Sequence, residues 1–405
     1  MTTIPPPLAT AARLMPPVWL LVMITMTSTL AMHMFVPALP YASHELAASI
    51  GAMQMTISVY IVGLAVGQLF YGPLSDAYGR RPMLMIGLGL YTVAGLVAMC
   101  VGGVHQLIAA RLLQALGGCA GLALGRAIVR DTARSDQAVR QLALMNLMMM
   151  IGPGLAPLVG GAVAALFGWR AIFVVLAGMG ALTLALTWRL LPETGKSTGV
   201  MSPKVMASDY RRLLQSPIFV GFTLGGGCST TSVYGFIAAA PFILTMELHR
   251  PLHEVGFYLA FLIVGMSLGN VLTGRLAGRI PMARLLLGSN ILSLASAALF
   301  LLSVLLGQLT LTGTMALLFL YTVGAGMSSP AALSKAVSVN PQLVGSASGL
   351  YGFTQMAIGA LCTSLAALGH DPALAVALVL MVAATVGQLS FSLALKKERA
   401  LLALA

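Results

Sequence analysis

Apolar runs of about twenty residues follow one another along almost the whole 405-residue chain. A helix that crosses the hydrocarbon layer of a bilayer needs about 20 such residues. The runs are continuous rather than alternating, which excludes a porin-type barrel. Composition agrees: 59% of residues are hydrophobic and 8% are charged. A soluble domain carries roughly 25% charged and 45–50% apolar residues. A soluble enzyme, a disordered chain and a nucleic-acid binder are therefore poor fits. One span with a short loop takes about 34 residues, so the length accommodates roughly twelve spans. The expected class is an all-α polytopic membrane protein.

Spans are expected at 17–39, 50–72, 83–102, 106–129, 139–166, 169–191, 217–244, 254–277, 284–306, 312–333, 346–369 and 373–395. The first run is too long for a signal-peptide core and reads as a retained span. The formal net charge of +12 is distributed very unevenly. Eighteen lysines and arginines lie at or beyond the span ends on the side of the N-terminus. Only Arg170 and Arg250 lie opposite. That positive-inside bias places both termini in the cytosol. The four cysteines (Cys100, Cys119, Cys228, Cys362) sit in apolar runs without a CxxC pair. Neither a disulfide framework nor a metal site is indicated.

The longest polar stretch, 192–216, falls at the chain midpoint and reads as a cytosolic linker. It separates an N-terminal six-helix bundle (17–191) from a C-terminal one (217–395). Short cytosolic tails are expected at 1–16 and 396–405. The segment Gly72-Pro-Leu-Ser-Asp76-Ala-Tyr-Gly79-Arg80 after the second span is echoed by Gly274-Arg-Leu-Ala-Gly-Arg279 after the eighth. Repeated six-span halves with a site between them are a transporter architecture.

The loop that continues to Arg81-Pro-Met-Leu84 resembles the cytosolic signature of the major facilitator superfamily. Leu107-Ile-Ala-Ala-Arg111-Leu-Leu-Gln114-Ala-Leu-Gly117-Gly118 resembles the fourth-span signature of proton-linked drug exporters. Gly152-Pro153-Gly-Leu-Ala156-Pro157-Leu-Val-Gly160-Gly161 resembles their fifth-span antiporter signature, with Ala156 where glycine is usual. Gln68 to Asp76, Arg126 to Asp131, Gly168-Trp-Arg-Ala-Ile-Phe173 and Ala240-Pro-Phe242 together are similar to the Bcr/CflA branch, typified by bicyclomycin and chloramphenicol exporters. The resemblance implies twelve helices in two pseudo-symmetric six-helix halves. It implies alternating access, a bacterial inner-membrane location and a monomer. It also implies a small-molecule substrate within the lipid bilayer, proton antiport and no cofactor.

Several residues carry the chemistry. Gly72 and Gly79 permit a tight reversal between helices. Asp76 lies among Arg80, Arg81, Arg130 and Asp131. By resemblance this cluster gates the cytosolic face, and Asp76 meets the dipole of the eleventh span. The alternative is a tight turn that sets topology only. Arg111 lies inside an apolar helix, where an unpaired charge costs roughly 2.5–3.5 kcal/mol or more. It should therefore face a cavity or a partner, unless it snorkels to the outer surface. Two prolines among the glycines of 152–161 bend the fifth span and allow close packing.

The branch carries an acid in the first span, in an Asp-Met-Tyr-Leu-Pro-like run. Here the run is His33-Met34-Phe35-Val36-Pro37, and none of the ten acids lies in the interior of a span. His33 and Arg111 are each five or six residues from the outer end of their spans. At 1.5 Å per residue both lie roughly 8–9 Å deep and can face one cavity. A histidine titrates near neutrality and suits proton transfer. Three readings stand: proton coupling or substrate binding by His33, substrate binding without coupling, or a structural histidine. A cavity that keeps Arg111 and lacks the acid favours neutral or anionic cargo. Gln54, Tyr60, Gln114, Tyr234 and Gln355 are the expected substrate contacts, as polar residues on cavity-bordering spans.

The expected function is secondary active efflux. A dedicated exporter of one endogenous metabolite, such as a siderophore, is the near alternative, with altered or absent proton coupling. An integral membrane enzyme is the alternative from another class, but no His-x-x-x-x-Asp, no His-Glu-x-x-His and no paired intramembrane acids are present. No phosphate-binding Gly-x-x-x-x-Gly-Lys-Ser/Thr loop is present either, so an ion gradient is the expected energy source.

Overall fold

A computed structural model describes residues 16–132, 154–195, 203–276, 279–340, 343–368 and 371–404. The described residues are helical, with no β-strand. The first half contains α1 (Val18–Met34), α2 (Leu39–Glu45), α3 (Ile50–Tyr78), α4 (Arg80–Met99), α5 (Val104–Thr132), α6 (Gly154–Phe167) and α7 (Arg170–Leu190). Then come α8 (Pro203–Leu214) and the second half: α9 (Pro217–Thr231), α10 (Val233–Phe242), α11 (Leu252–Leu276), α12 (Met282–Leu305), α13 (Leu311–Ser338), α14 (Val344–Ala366) and α15 (Pro372–Leu404).

Ten membrane-crossing stretches qualify by length and apolar character among the described residues. The α9–α10 pair forms one of them and α1–α2 another. The 23-residue α14 is long enough but interrupts its apolar residues with Gly, Ser, Thr and Gln. α6 is short, and the segment before it, where the fifth span is expected to begin, lies outside the described residues.

Local chemistry sets the ends. Ser49, Ser216 and Thr310 cap α3, α9 and α13 by accepting the Ala52, Phe219 and Gly313 N–H groups, as side-chain oxygens at helix starts do. The Asp371 carboxylate does the same for Leu374 at the start of α15. α1 stops at Phe35, where Pro37 sits inside a single 3-10 turn. Proline lacks the N–H that would continue the ladder.

Three expectations need correction. The reversal after the second span is not a loop from Gly72 to Gly79. α3 continues through Gly72, Pro73 and Asp76 to Tyr78, and the turn is made at Gly79 alone, with φ +101°. Only glycine takes that backbone readily. The 192–216 linker is not simply polar chain, because α8 forms within it. The 396–404 part of the tail is helix continuous with α15. Its Glu398 accepts two bonds from Lys335 Nζ, at 2.8 and 3.0 Å.

Packing is uneven between the two faces. On the face bearing α8, the apolar core of each half is separate. Leu20, Leu84, Leu124 and Ile128 belong to one core. Phe219, Leu286, Ala332 and Phe391 belong to another, which also takes in Leu213 of α8. On the opposite side one continuous core joins both halves, from Phe35 and Phe173 to Phe236, Leu262 and Val376. Gly160 of α6 lies against the Met34 carbonyl, so closely that a methyl group there would overlap it.

Candidate functional site

The first half buries one cation in aromatic surroundings. Arg111 of α5 is fully buried, so it does not snorkel. Its guanidinium carbon lies 4.0 Å from the Tyr60 ring centroid, 5.6 Å from that of Phe35 and 5.9 Å from that of Phe173. Its Nη1 donates to Gln114 Oε1 at 2.7 Å, one helical turn along. Two phenols fix the surroundings: Tyr60 donates to the Ser28 carbonyl at 2.8 Å and Tyr91 to the Thr27 carbonyl at 3.1 Å. Ring faces carry negative charge, and a desolvated cation over one gains up to about 2 kcal/mol. No carboxylate pairs with Arg111 among the described residues. Its Nε and Nη2 have no hydrogen-bond partner.

The cage is anchored from outside. Phe35 and Phe173 lie 5.0 Å apart, and Trp169 meets Phe173 edge-on at 6.1 Å. Trp169 Nε1 donates to Glu45 at 2.5 Å, and Arg170 pairs with the same carboxylate. Arg170 Nη2 also donates to the Val101 carbonyl at 3.1 Å. One acid thereby ties α2, α7 and the end of α4 around the rings.

His33 is buried, but its ring neighbour is Tyr234 of α10, edge-on at 6.3 Å. It therefore lies at the seam between the halves, and it is not among the hydrogen-bond or ring partners of Arg111. Gln54 is buried with neither amide atom partnered. Gln114 is engaged with Arg111 through Oε1, and its Nε2 is unpartnered. Gln355 has a different role: its Nε2 donates to Thr230 at 2.7 Å, and its carbonyl accepts from Thr231 at 2.7 Å. It joins α14 to α9. Tyr234 is half-buried.

On the α8 face, Arg80 pairs with Asp76 at 2.6 Å and with Asp131 at 2.9 Å, and it also meets the Ser75 hydroxyl. The N–H groups of Arg80 and Arg81 donate to Glu193 at 2.9 and 3.1 Å. An anion at a helix start satisfies orphan donors and the helix dipole together. Arg81 Nη2 reaches the Trp188 carbonyl at 2.6 Å. Among the described residues, the side-chain partners of Arg80 belong to the first half. The side chain of Arg130 lies outside the described residues. Contact between the halves on this face includes Gln68, packed against Gly352, Leu69, whose side chain packs on the second-half core, and Tyr210 of α8, which donates to the Leu69 carbonyl at 3.5 Å. Burial and the adjacent Asp209 carboxylate hold the Tyr210 phenol above its ordinary pKa, so it remains a donor.

Gly152 and Pro153 lie outside the described residues. Ala156, Pro157, Gly160 and Gly161 are buried on α6. There the Pro157 carbonyl lies against Gly256 of α11, Gly160 against Met34, and Gly161 near Pro37.

Sequence reasoning missed Phe35, Phe173 and Glu193 as parts of these clusters. An aromatic residue in an apolar helix carries no signal of its own. Phe35 and Phe173 each stood inside a segment compared with the family, and that was the available pointer.

The model of the Major Facilitator Superfamily matches residues 21–364. An uncharacterized MFS-type transporter of Bacillus subtilis, YdgK, is 31% identical, covering 94% of this chain and 95% of its own. A bicyclomycin resistance protein homolog of Haemophilus influenzae is 27% identical, covering 85% and 87%. Among solved structures, a bacterial homolog of the human lysosomal transporter Spinster superposes with a TM-score of 0.72. It does so at 14% identity, over 94% of this chain and 96% of that one.

Proposed function

The chain belongs to the major facilitator superfamily, in its Bcr/CflA drug-efflux branch, and from this we propose that it exports small amphiphilic molecules of the chloramphenicol or bicyclomycin type by alternating access in exchange for protons. It is a multi-pass membrane transporter rather than an enzyme. The reading places it in the bacterial inner membrane as a monomer with both termini cytosolic. The eighteen-to-two distribution of loop cations supports that orientation.

The observation that carries the reading is the uneven seam. The halves share one apolar core on the face away from α8 and keep separate cores on the α8 face. A seam of that kind suits two bundles that rock about a central site. His33, at the seam against Tyr234, is the group placed to exchange a proton as the halves part. The cluster around Arg80 steadies the α3–α4 turn during the movement. The family acid is absent from the first span, and that observation favours a second reading, a dedicated exporter of one endogenous metabolite such as a siderophore.

The test is retention of labelled chloramphenicol in an efflux-deficient bacterium that makes the protein. Retention falls, a protonophore restores it, and His33→Ala behaves like the empty vector. Unchanged retention despite normal membrane expression overturns the drug-export reading. It directs the search to endogenous metabolites.

A further inference from the structure

Arg111 is held on only one side. A guanidinium has two distinct edges that can donate in pairs. The edge made by Nε and one terminal nitrogen matches the two oxygens of a carboxylate. In this protein Nη1 is taken by Gln114 Oε1. Nε and Nη2, which form that other edge, are both buried and both without an acceptor. The rings of Tyr60, Phe35 and Phe173 stabilise the positive charge, but π faces do not replace acceptors in the plane of the guanidinium. Buried N–H groups in native proteins are nearly always paired. No acid of the described residues reaches this edge.

We propose that the Nε–Nη2 edge of Arg111 is the binding point for a carboxylate carried by the exported molecule. An amphiphilic organic acid is then a cargo class beside the neutral chloramphenicol and bicyclomycin types, held by its carboxylate at that edge. The Nε2 of Gln114, whose Oε1 already holds the guanidinium, is a second buried donor without a partner. The inference rests on the efflux reading and specifies its substrate class. An anionic group supplies the acceptors that the described residues do not, and the cation then recognises cargo.

The experiment uses full-length protein in lipid nanodiscs. It measures equilibrium binding of nalidixate, an aromatic carboxylate, and of its methyl ester, which keeps the body and loses the charge. Wild type binds nalidixate at least tenfold more tightly than the ester. Arg111→Gln brings that ratio close to one, and Arg111→Lys reduces it severalfold, because an ammonium keeps the charge but lacks the paired edge. A wild-type ratio near one overturns the proposal without any variant, so a misfolded variant does not protect it. Potassium chloride titrated upward from the nalidixate concentration, at constant ionic strength, is the second arm. Chloride that displaces nalidixate at equimolar concentration would show an inorganic anion site in place of one for cargo. The cellular chloramphenicol assay is independent. If retention never changes while the acid-to-ester ratio holds, the chloramphenicol reading fails and the carboxylate site stands.

Discussion

Two arginines of the first half meet the same problem with opposite solutions. Arg80, at the α8 face, has two carboxylates, a hydroxyl and a backbone N–H bound to a third acid. Arg111, in the interior, has three ring faces and one amide oxygen. Water and loops near the surface make carboxylates cheap to place, whereas each buried ion is costly to desolvate. The satisfied arginine therefore reads as a structural tie. The unsatisfied one reads as a site, because its missing partners must come from elsewhere. A protein that keeps such a cation gains nothing in stability from it.

The sharpest way to break this contrast is Arg111→Met. Transport should fall to the level of the empty vector, while the melting temperature of the purified protein stays level or rises. Removing an incompletely paired buried charge is often neutral or stabilising by about 1–4 kcal/mol. A large drop in melting temperature would recast Arg111 as structural. Next in size is Tyr60→Leu, which removes the ring 4.0 Å from the guanidinium and the hydroxyl bond to Ser28. The expected loss is about 2–3 kcal/mol. Tyr60→Phe keeps the ring and should lose about 1 kcal/mol. Equal losses for the two variants would remove the ring from the account. The smallest effect is expected at the surface. Asp131→Asn leaves Arg80 its pair with Asp76, and Asp131 is partly exposed to screening. Thermal melts should show a loss of about 0.5–1 kcal/mol, with efflux reduced but present.

The helical membrane class and the family were legible in the sequence, because apolar length and short motifs survive without tertiary context. The extent of α3 was not. Gly72-Pro73 reads as a breaker pair, yet an exposed helix end tolerates proline where neighbouring groups restore the lost bond. α8 was missed because it is amphipathic and short, and only the packing of Leu213 and Tyr210 against the halves settles it. Helical rise gives His33 and Arg111 one expected depth but says nothing of azimuth. His33 turned to the seam and Tyr234, whereas Arg111 turned into the bundle. Which aromatic residues would surround it depended on four separate helices, and no local pattern encodes that.

The most direct measurement compares Arg80→Gln and Arg111→Gln in one experiment, with labelled nalidixate retention in cells and melting of the purified proteins recorded for both. The account predicts crossed results: Arg80→Gln lowers the melting temperature and keeps partial efflux, whereas Arg111→Gln abolishes efflux without lowering the melting temperature. Parallel losses in both readouts for both variants would contradict it, since the two arginines would then serve the same structural purpose.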